Sequence, residues 1–380
     1  MHLYLHVPFC KQACHYCDFH FSTNQRGKRE LVTAMAREID LRHTYLTEAA
    51  GTSELQTIYF GGGTPSLLTE AELAHLFEAI HRHFTVAPTA EITLEANPDD
   101  LADPAQLAMF RRYVNRLSIG IQTFDEETLH WMNRAHNAAD AAACVPRARD
   151  AGFDNLSIDL IYGMSDRIWA TDLAQAIALD VPHLSAYNLT IEPDTAFSRW
   201  VEKGTLAPVD EALSANQFTE LAAAMHSAGY GQYEISSFAK EGHYARHNTA
   251  YWQRKPYLGI GPSAHSFNGH SRQANVPNNA LYVKELAADN VPADREELTR
   301  ADRINEYLLT GLRTTWGCQL AELDALLGED RPGTSFLTEQ ADELAKLTKA
   351  GWLTMTDNTL RLTESGKLFA DRVASELFVE

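Results

Sequence analysis

The sequence predicts an α/β protein built from repeated βα units, followed by a small and mainly helical C-terminal block. Three observations carry this expectation. Six short apolar strands alternate with stretches of helical periodicity. Their spacing of roughly 25–40 residues suits parallel strands joined by helical crossovers, and the chain changes character near residue 299.

Leu3 to Val7 (LYLHV) is an apolar run stopped by Pro8 and reads as the first strand, with three cysteines immediately behind it. Residues 28–46 carry Leu31, Ala34, Met35, Ile39 and Leu46 near a 3.6 period, which predicts a helix. Leu55 to Phe60 (LQTIYF) predicts a strand running into Gly61-Gly62-Gly63-Thr64-Pro65. Thr69 is a helix cap for 70–84, because its hydroxyl can accept an otherwise unpaired amide of the first turn. Glu91 to Glu95 is a strand, Asp103 opens a helix to about 112, and Arg116 to Ile121 is the fourth strand. Helices containing 139–151 and about 167–180 lead into the strands Asn155 to Leu160 and His183 to Tyr187, and a further helix covers 210–228. Six such units make an incomplete β/α barrel. Open doubly wound sheets share the alternation, so periodicity leaves both arrangements open.

From Gly229 to about Asn279 the chain is rich in glycine and aromatics, a composition suited to loops and short strands that cover a site. The expected division is therefore a barrel over 1–230, a covering segment over 231–290 and a C-terminal domain over 291–380. The last block reads as helices at 300–313, 319–327, 338–349 and 364–377 around a hairpin turning at Asp357-Asn358, a winged-helix-like pattern.

With 32 basic and 51 acidic residues, a net charge of -19, a non-specific grip on phosphate backbones is disfavoured. The 291–380 block holds 10 basic and 17 acidic side chains, which argues against DNA reading by its winged-helix pattern. No run approaches the roughly 20 apolar residues of a spanning helix, and the first residues lack a basic segment and apolar core, so a cytoplasmic protein is expected.

The chemistry is concentrated in Cys10-x3-Cys14-x2-Cys17. Three thiolates can hold a [4Fe-4S] cluster and leave one iron open to an exchangeable ligand. A structural zinc site would bring four protein ligands, and the offsets of His6, His15 and His20 fit zinc spacings poorly. Cys144, in an apolar helix face, and Cys318, near a helix start, read as structural. The glycines after the second strand permit close backbone approach to a ligand at the strand C-termini. Polar residues recur at the ends of later strands: Glu95, Gln122, Asp159 and Tyr187. Singly each is equally suited to capping the next helix; together, with Arg134, they can line one mouth.

The cysteine spacing, with Tyr16 before the third cysteine, resembles the signature of the radical S-adenosylmethionine (SAM) superfamily. The segments LYLHVPFC, GGGTPS, EANP, RLSIGIQTF, NRAH, DLIYG, HLSAYNLTIEPDT, YEISSFA, HNTAYW and GIGPSAHS resemble the oxygen-independent coproporphyrinogen III oxidase-like family over nearly the whole chain. The resemblance implies a partial (β/α)6 TIM-like barrel of the radical SAM type with a small C-terminal helical, winged-helix-like domain. It implies a [4Fe-4S] cluster on Cys10, Cys14 and Cys17, and SAM contacts from Tyr4, Gly62, Gly63, Thr64, Glu95, Gln122, Arg134 and Asp159. Two departures bear on the loops of the mouth. Asn133 stands where the family has glycine before the arginine, and Met164-Ser165 where it has Leu-Pro.

Within the family, oxidases extend the motif to a fourth cysteine, where this chain has Phe19, and carry a substantial segment before the cluster, where Cys10 is here almost at the start. His247-Asn248-Thr249-Ala250-Tyr251-Trp252 resembles the H-N-x-x-Y-W segment of the haem chaperone branch. That branch implies haem as cargo, His247 as a haem-binding residue with Tyr251 and Trp252 against the porphyrin, and apo-haemoproteins as recipients, including membrane-associated respiratory proteins. The residues by themselves also allow His247 to hydrogen-bond within a loop while the aromatics are core. His243, His265 and His270 are further ligand candidates. The alternative function is radical oxidative decarboxylation of coproporphyrinogen III.

Overall fold

A computed structural model describes residues 1–46, 51–328 and 333–380. The six expected strands are β1 (His2–Val7), β2 (Glu54–Gly62), β3 (Thr85–Ala96), β4 (Arg116–Gln122), β5 (Asn155–Tyr162) and β6 (His183–Asn188). They lie side by side in that order and every neighbouring pair is parallel. Parallel strands buried on both faces need near-continuous apolar runs. Leu3, Leu5, Val7, Ile58, Phe60, Leu94, Leu117, Ile119, Leu156, Ile158 and Leu184 supply them and are buried.

The crossover helices have the expected local causes. Thr69 and Glu72 form a reciprocal capping box on Glu70–His83. Asp103 caps Pro104–Tyr113, whose proline occupies the first turn, where no amide partner is needed. Lys28–Arg42 turns Leu31, Met35 and Ile39 onto the sheet, and its last turn buries Arg42 against Glu38 at 2.9 Å. The helix at 126–131 was not expected; at six residues it is too short for a periodic signal.

The 231–290 stretch is more than a cover. β7 (Gly231–Glu234) and β8 (Ser237–Ala239) extend the sheet antiparallel beyond β6. β9 (Tyr257–Ile260) adds a seventh parallel strand on the other side of β1 and is followed by antiparallel β10 (His265–Phe267), β11 (Ser271–Asn275) and β12 (Ala293–Glu297). The full order is β12-β11-β10-β9-β1-β2-β3-β4-β5-β6-β8-β7, and among the described residues no ladder joins the two ends. The sheet is thus an open β/α array rather than a closed barrel.

The C-terminal block has its own apolar core, including Ile304, Leu308, Leu323, Phe336, Leu347, Leu353 and Val373. Its three-stranded antiparallel sheet pairs Thr356 with Thr359 across a two-residue turn in which Asp357 and Asn358 both have positive φ, the left-handed pair a tight hairpin requires. The helix Arg300–Leu312 ties the block to both flanks of the open sheet. Glu306 pairs with Arg272 of β11 at 2.5 Å, and Arg313, just beyond the helix, pairs with buried Glu234 of β7 at 3.0 Å. Among the described residues no helix is long and apolar enough to cross a membrane.

Candidate functional site

At the C-terminal ends of the parallel strands lies a cavity of about 870 Å³. Each of the twelve candidate residues lines it: Tyr4, Cys10, Cys14, Cys17, Gly62, Gly63, Thr64, Glu95, Gln122, Arg134, Asp159 and His247. His243, His265 and His270 do not.

The cysteine loop leaves β1 at Pro8 and is closed at its base by Cys10 N–H donating to Ser22 O at 3.0 Å and Ser22 N–H to Pro8 O at 2.8 Å. The glycine segment after β2 runs directly under it. Gly63 N–H donates to Val7 O at 3.0 Å and Thr64 N–H to Phe9 O at 2.7 Å, while the Thr64 hydroxyl bonds the Cys10 thiol. A Cβ on Gly63 would stand 2.7 Å from Val7 O and 2.8 Å from Phe9 N, so the close passage of the two segments requires glycine.

Burial pushes the Cys10 thiol up and the Cys17 thiol up to about 12, each raised further by neighbouring cysteine sulfur. Without a metal these sulfurs are therefore held as thiols, and a bound cation is what would hold them as thiolates. No three His, Cys, Asp or Glu side chains among the described residues converge on a single ion. Three thiols spread over one loop fit a larger multi-iron group better than one tetrahedral ion.

Arg134 is held over this loop. Its guanidinium donates to Cys14 Sγ and Tyr16 Oη, each at 3.3 Å, to Asn97 Oδ1 at 2.6 Å and to Gly120 O at 2.8 Å. Asn133 explains how the preceding position does without glycine. It adopts φ 57°, a region asparagine tolerates, and its side chain bonds Ala13 O at 2.7 Å and Gln12 at 2.6 Å, pinning the cysteine loop. Ser165 starts the helix Asp166–Ala178 without a side-chain cap, and the turn before it is fixed by Gly163 N–H donating to Gln217 at 2.7 Å.

Glu95 accepts from Tyr59 Oη at 2.7 Å and from Gly62 N–H at 3.1 Å. Its carboxyl is raised to about 7, chiefly by burial, and Asp159 to about 6 for the same reason. Gln122 sits at a register shift between β4 and β5 with φ 68°, a strained conformation that turns the strand end into the mouth.

His247 arrives on the short helix Arg246–Trp252. It is 1% exposed, its amide donates to Glu91 at 3.0 Å, and its two ring nitrogens bond Thr57 Oγ1 at 2.6 Å and Tyr251 Oη at 2.8 Å. Both ring nitrogens of His247 are thus engaged by hydrogen bonds within the protein. Tyr251 packs edge-on against His247 with ring centroids 4.7 Å apart, and Trp252, Tyr257, Phe267, Arg254 and Arg272 also line the cavity.

Sequence reasoning did not assign Asn97, Tyr59, Thr57, Arg254 or Arg272. Thr57 carried a weak signal as a polar residue inside the apolar strand LQTIYF. Arg254 and Arg272 carried none, since the first follows the short helix Arg246–Trp252 and the second is brought to the mouth by β11.

An open parallel array with a three-cysteine loop over its strand C-termini defines a radical SAM protein. Residues 4–171 match the radical SAM superfamily model and 298–369 the HemN C-terminal domain. The chain is 32% identical to the heme chaperone HemW of Bacillus subtilis (strain 168), covering 97% of each, and 32% identical to that of Escherichia coli (strain K12), covering 99% of this chain and 97% of the relative. It is 33% identical to heme chaperone HemW of Mycobacterium tuberculosis (strain ATCC 25618 / H37Rv), covering 99% and 94%. The solved coproporphyrinogen III oxidase (HemN) of Escherichia coli, a radical SAM enzyme, superposes with TM-score 0.83 at 24% identity over 99% of this chain and 89% of that one, a likeness of fold. The chain belongs to the HemW-like branch of the oxygen-independent coproporphyrinogen III oxidase-like family. That superfamily implies a [4Fe-4S] cluster and SAM.

Proposed function

We propose that the protein is a haem chaperone that binds haem at the mouth of the sheet and passes it to apo-haemoproteins such as respiratory-chain components. The observation that carries this reading is the convergence of His247, Tyr251 and Trp252 on the cavity that also holds the cysteine loop. Full-length similarity to proteins named heme chaperone HemW supports it. Phe19, 67% exposed on the cysteine loop, stands where a fourth cysteine would mark an oxidase.

In this reading Cys10, Cys14 and Cys17 hold the [4Fe-4S] cluster. Tyr4, Gly62, Gly63, Thr64, Glu95, Gln122, Arg134 and Asp159 form the SAM compartment, and His247 belongs to the haem compartment. Bound together, cluster and SAM supply one-electron chemistry. The chain's own part is to fix the thiols through Thr64 and Arg134, to hold the glycine segment through Glu95, and to offer an aromatic wall to a flat apolar cargo.

The test is anaerobic titration of reconstituted protein with haem, followed by transfer to an apo-haemoprotein. Saturable binding at one haem per chain and transfer are expected; absence of saturable binding overturns the reading. Conversion of coproporphyrinogen III by the same preparation would instead establish the oxidase; Arg254 and Arg272 at the mouth are already paired with Glu322 and Glu306.

A further inference from the structure

We propose that Tyr251 is the side chain that ligates the iron of the haem cargo, through its phenolate oxygen, and that His247 is its positioning partner at the head of a hydrogen-bonded chain Tyr251–His247–Thr57–His2. This inference rests on the haem reading above and concerns which atom meets the metal.

The geometry separates the two candidates. His247 is 1% exposed with both ring nitrogens engaged, whereas Tyr251 is partly exposed and lines the cavity. An imidazole that ligates metal offers one nitrogen and donates from the other. For His247 to do so, the 2.8 Å bond to Tyr251 would have to break and the phenol would have to leave its position. Tyr251 can do so with its bond to His247 kept, since its side chain lines the cavity while its hydroxyl bonds the imidazole. Tyrosine oxygen is an established type of haem ligand.

The chain continues past His247. Thr57 Oγ1 lies 2.6 Å from His247 Nδ1 and 2.9 Å from His2 Nδ1. A hydroxyl donates once, so when the His247 Nδ1–H donates to Thr57, Thr57 donates to His2, and His247 Nε2 is left to accept from the Tyr251 phenol. Ligation by the phenolate would require the phenol O–H bond to break, and His247 Nε2 is placed to take that proton; the Nδ1 proton would pass to Thr57 and the Thr57 proton to His2 Nδ1, with His2, which is partly exposed, giving up its Nε2 proton to solvent. Every group except the phenol returns to neutrality, and His247 Nε2–H is left donating to the phenolate. The groups that bear on Tyr251 from neighbouring strands are Tyr4, Glu95 and Tyr257; Arg116 and His2 bear on His247.

The experiment is resonance Raman and magnetic circular dichroism of ferric haem bound to the full-length reconstituted protein and to Tyr251→Phe and His247→Gln variants, with far-UV circular dichroism and cluster absorbance reporting that each is folded. The wild type is expected to show an iron–phenolate signature that Tyr251→Phe loses. His247→Gln is expected to keep that signature while binding haem about 10–100-fold more weakly, the usual cost of removing a partner of a metal ligand. An imidazole-ligated spectrum that survives Tyr251→Phe and disappears in His247→Gln overturns the proposal and leaves the chaperone reading intact. A wild type that binds no haem overturns both.

Discussion

The Glu95 carboxylate accepts the Gly62 amide at 3.1 Å, joining the end of β3 to the glycine segment that follows β2. Its other oxygen accepts from Tyr59 at 2.7 Å, so a single buried acid fixes the segment that passes beneath the cysteines.

Replacing Glu95 with glutamine keeps the shape and both hydrogen bonds, its Oε1 accepting from Gly62 N–H and its Nε2 donating to the Tyr59 hydroxyl, and removes the carboxylate charge. SAM affinity, measured by calorimetry on reconstituted protein, is expected to fall because that charge is lost. Because the Glu95 carboxyl is raised to about 7 by burial, it gains its charge as pH rises through that value. Attraction for cationic SAM is therefore expected to strengthen with pH in the wild type and to lose this slope in Glu95→Gln.

Serine at Cys10, Cys14 or Cys17 is expected to abolish the visible absorbance of the cluster and to lower iron per chain. Alanine at Cys144 or Cys318 is expected to leave both unchanged. Those two thiols are buried far from the loop and bond only main-chain oxygen, at 3.2 Å from Ala141 O and 3.3 Å from Tyr307 O.

Gly63→Ala forces a methyl group to within 2.9 Å or less of three backbone atoms of the first strand and cysteine loop. Overpacking of this kind costs about 1–3 kcal/mol. The expected outcome is a lower thermal midpoint and loss of iron during anaerobic gel filtration. Gly328→Ala, at a position with ordinary φ and nothing within 4 Å, is expected to leave the iron content unchanged.

Asp172 is 1% exposed and accepts from Thr123 Oγ1 at 2.6 Å and Phe124 N–H at 2.8 Å, yet burial raises it to about 6. The native state thus keeps a proton that the unfolded chain gives up at an ordinary aspartate value. Stability from this site is complete below about pH 4 and declines as pH rises to about 6, by on the order of 3 kcal/mol. Urea unfolding as a function of pH is expected to show this decline, and Asp172→Asn to flatten it.

The strands were legible because parallel strands with two buried faces write themselves as apolar runs, as in LYLHV and RLSIGI. Caps such as Thr69 and Asp103 were legible because they act within three residues of themselves. The 231–290 stretch was not: β7–β8 and β9–β11 are short, and whether they cover the site or join the sheet depends on edges that other parts of the chain leave open. The paired left-handed residues at Asp357 and Asn358 were readable from their types, whereas the left-handed Gln122 was not, because glutamine has no local preference for that conformation.

By itself the sequence determined the three-thiol loop, the glycine segment and the strand-end polar residues, since each is a matter of residue type and local spacing. Only the tertiary structure decided which of these groups are free to act. Hydrogen bonds such as Arg134 to Cys14 span 120 residues, and His247 to Thr57 spans 190. Whether a nitrogen or oxygen keeps an open lone pair depends on the neighbour that folding brings to it, which no local pattern encodes.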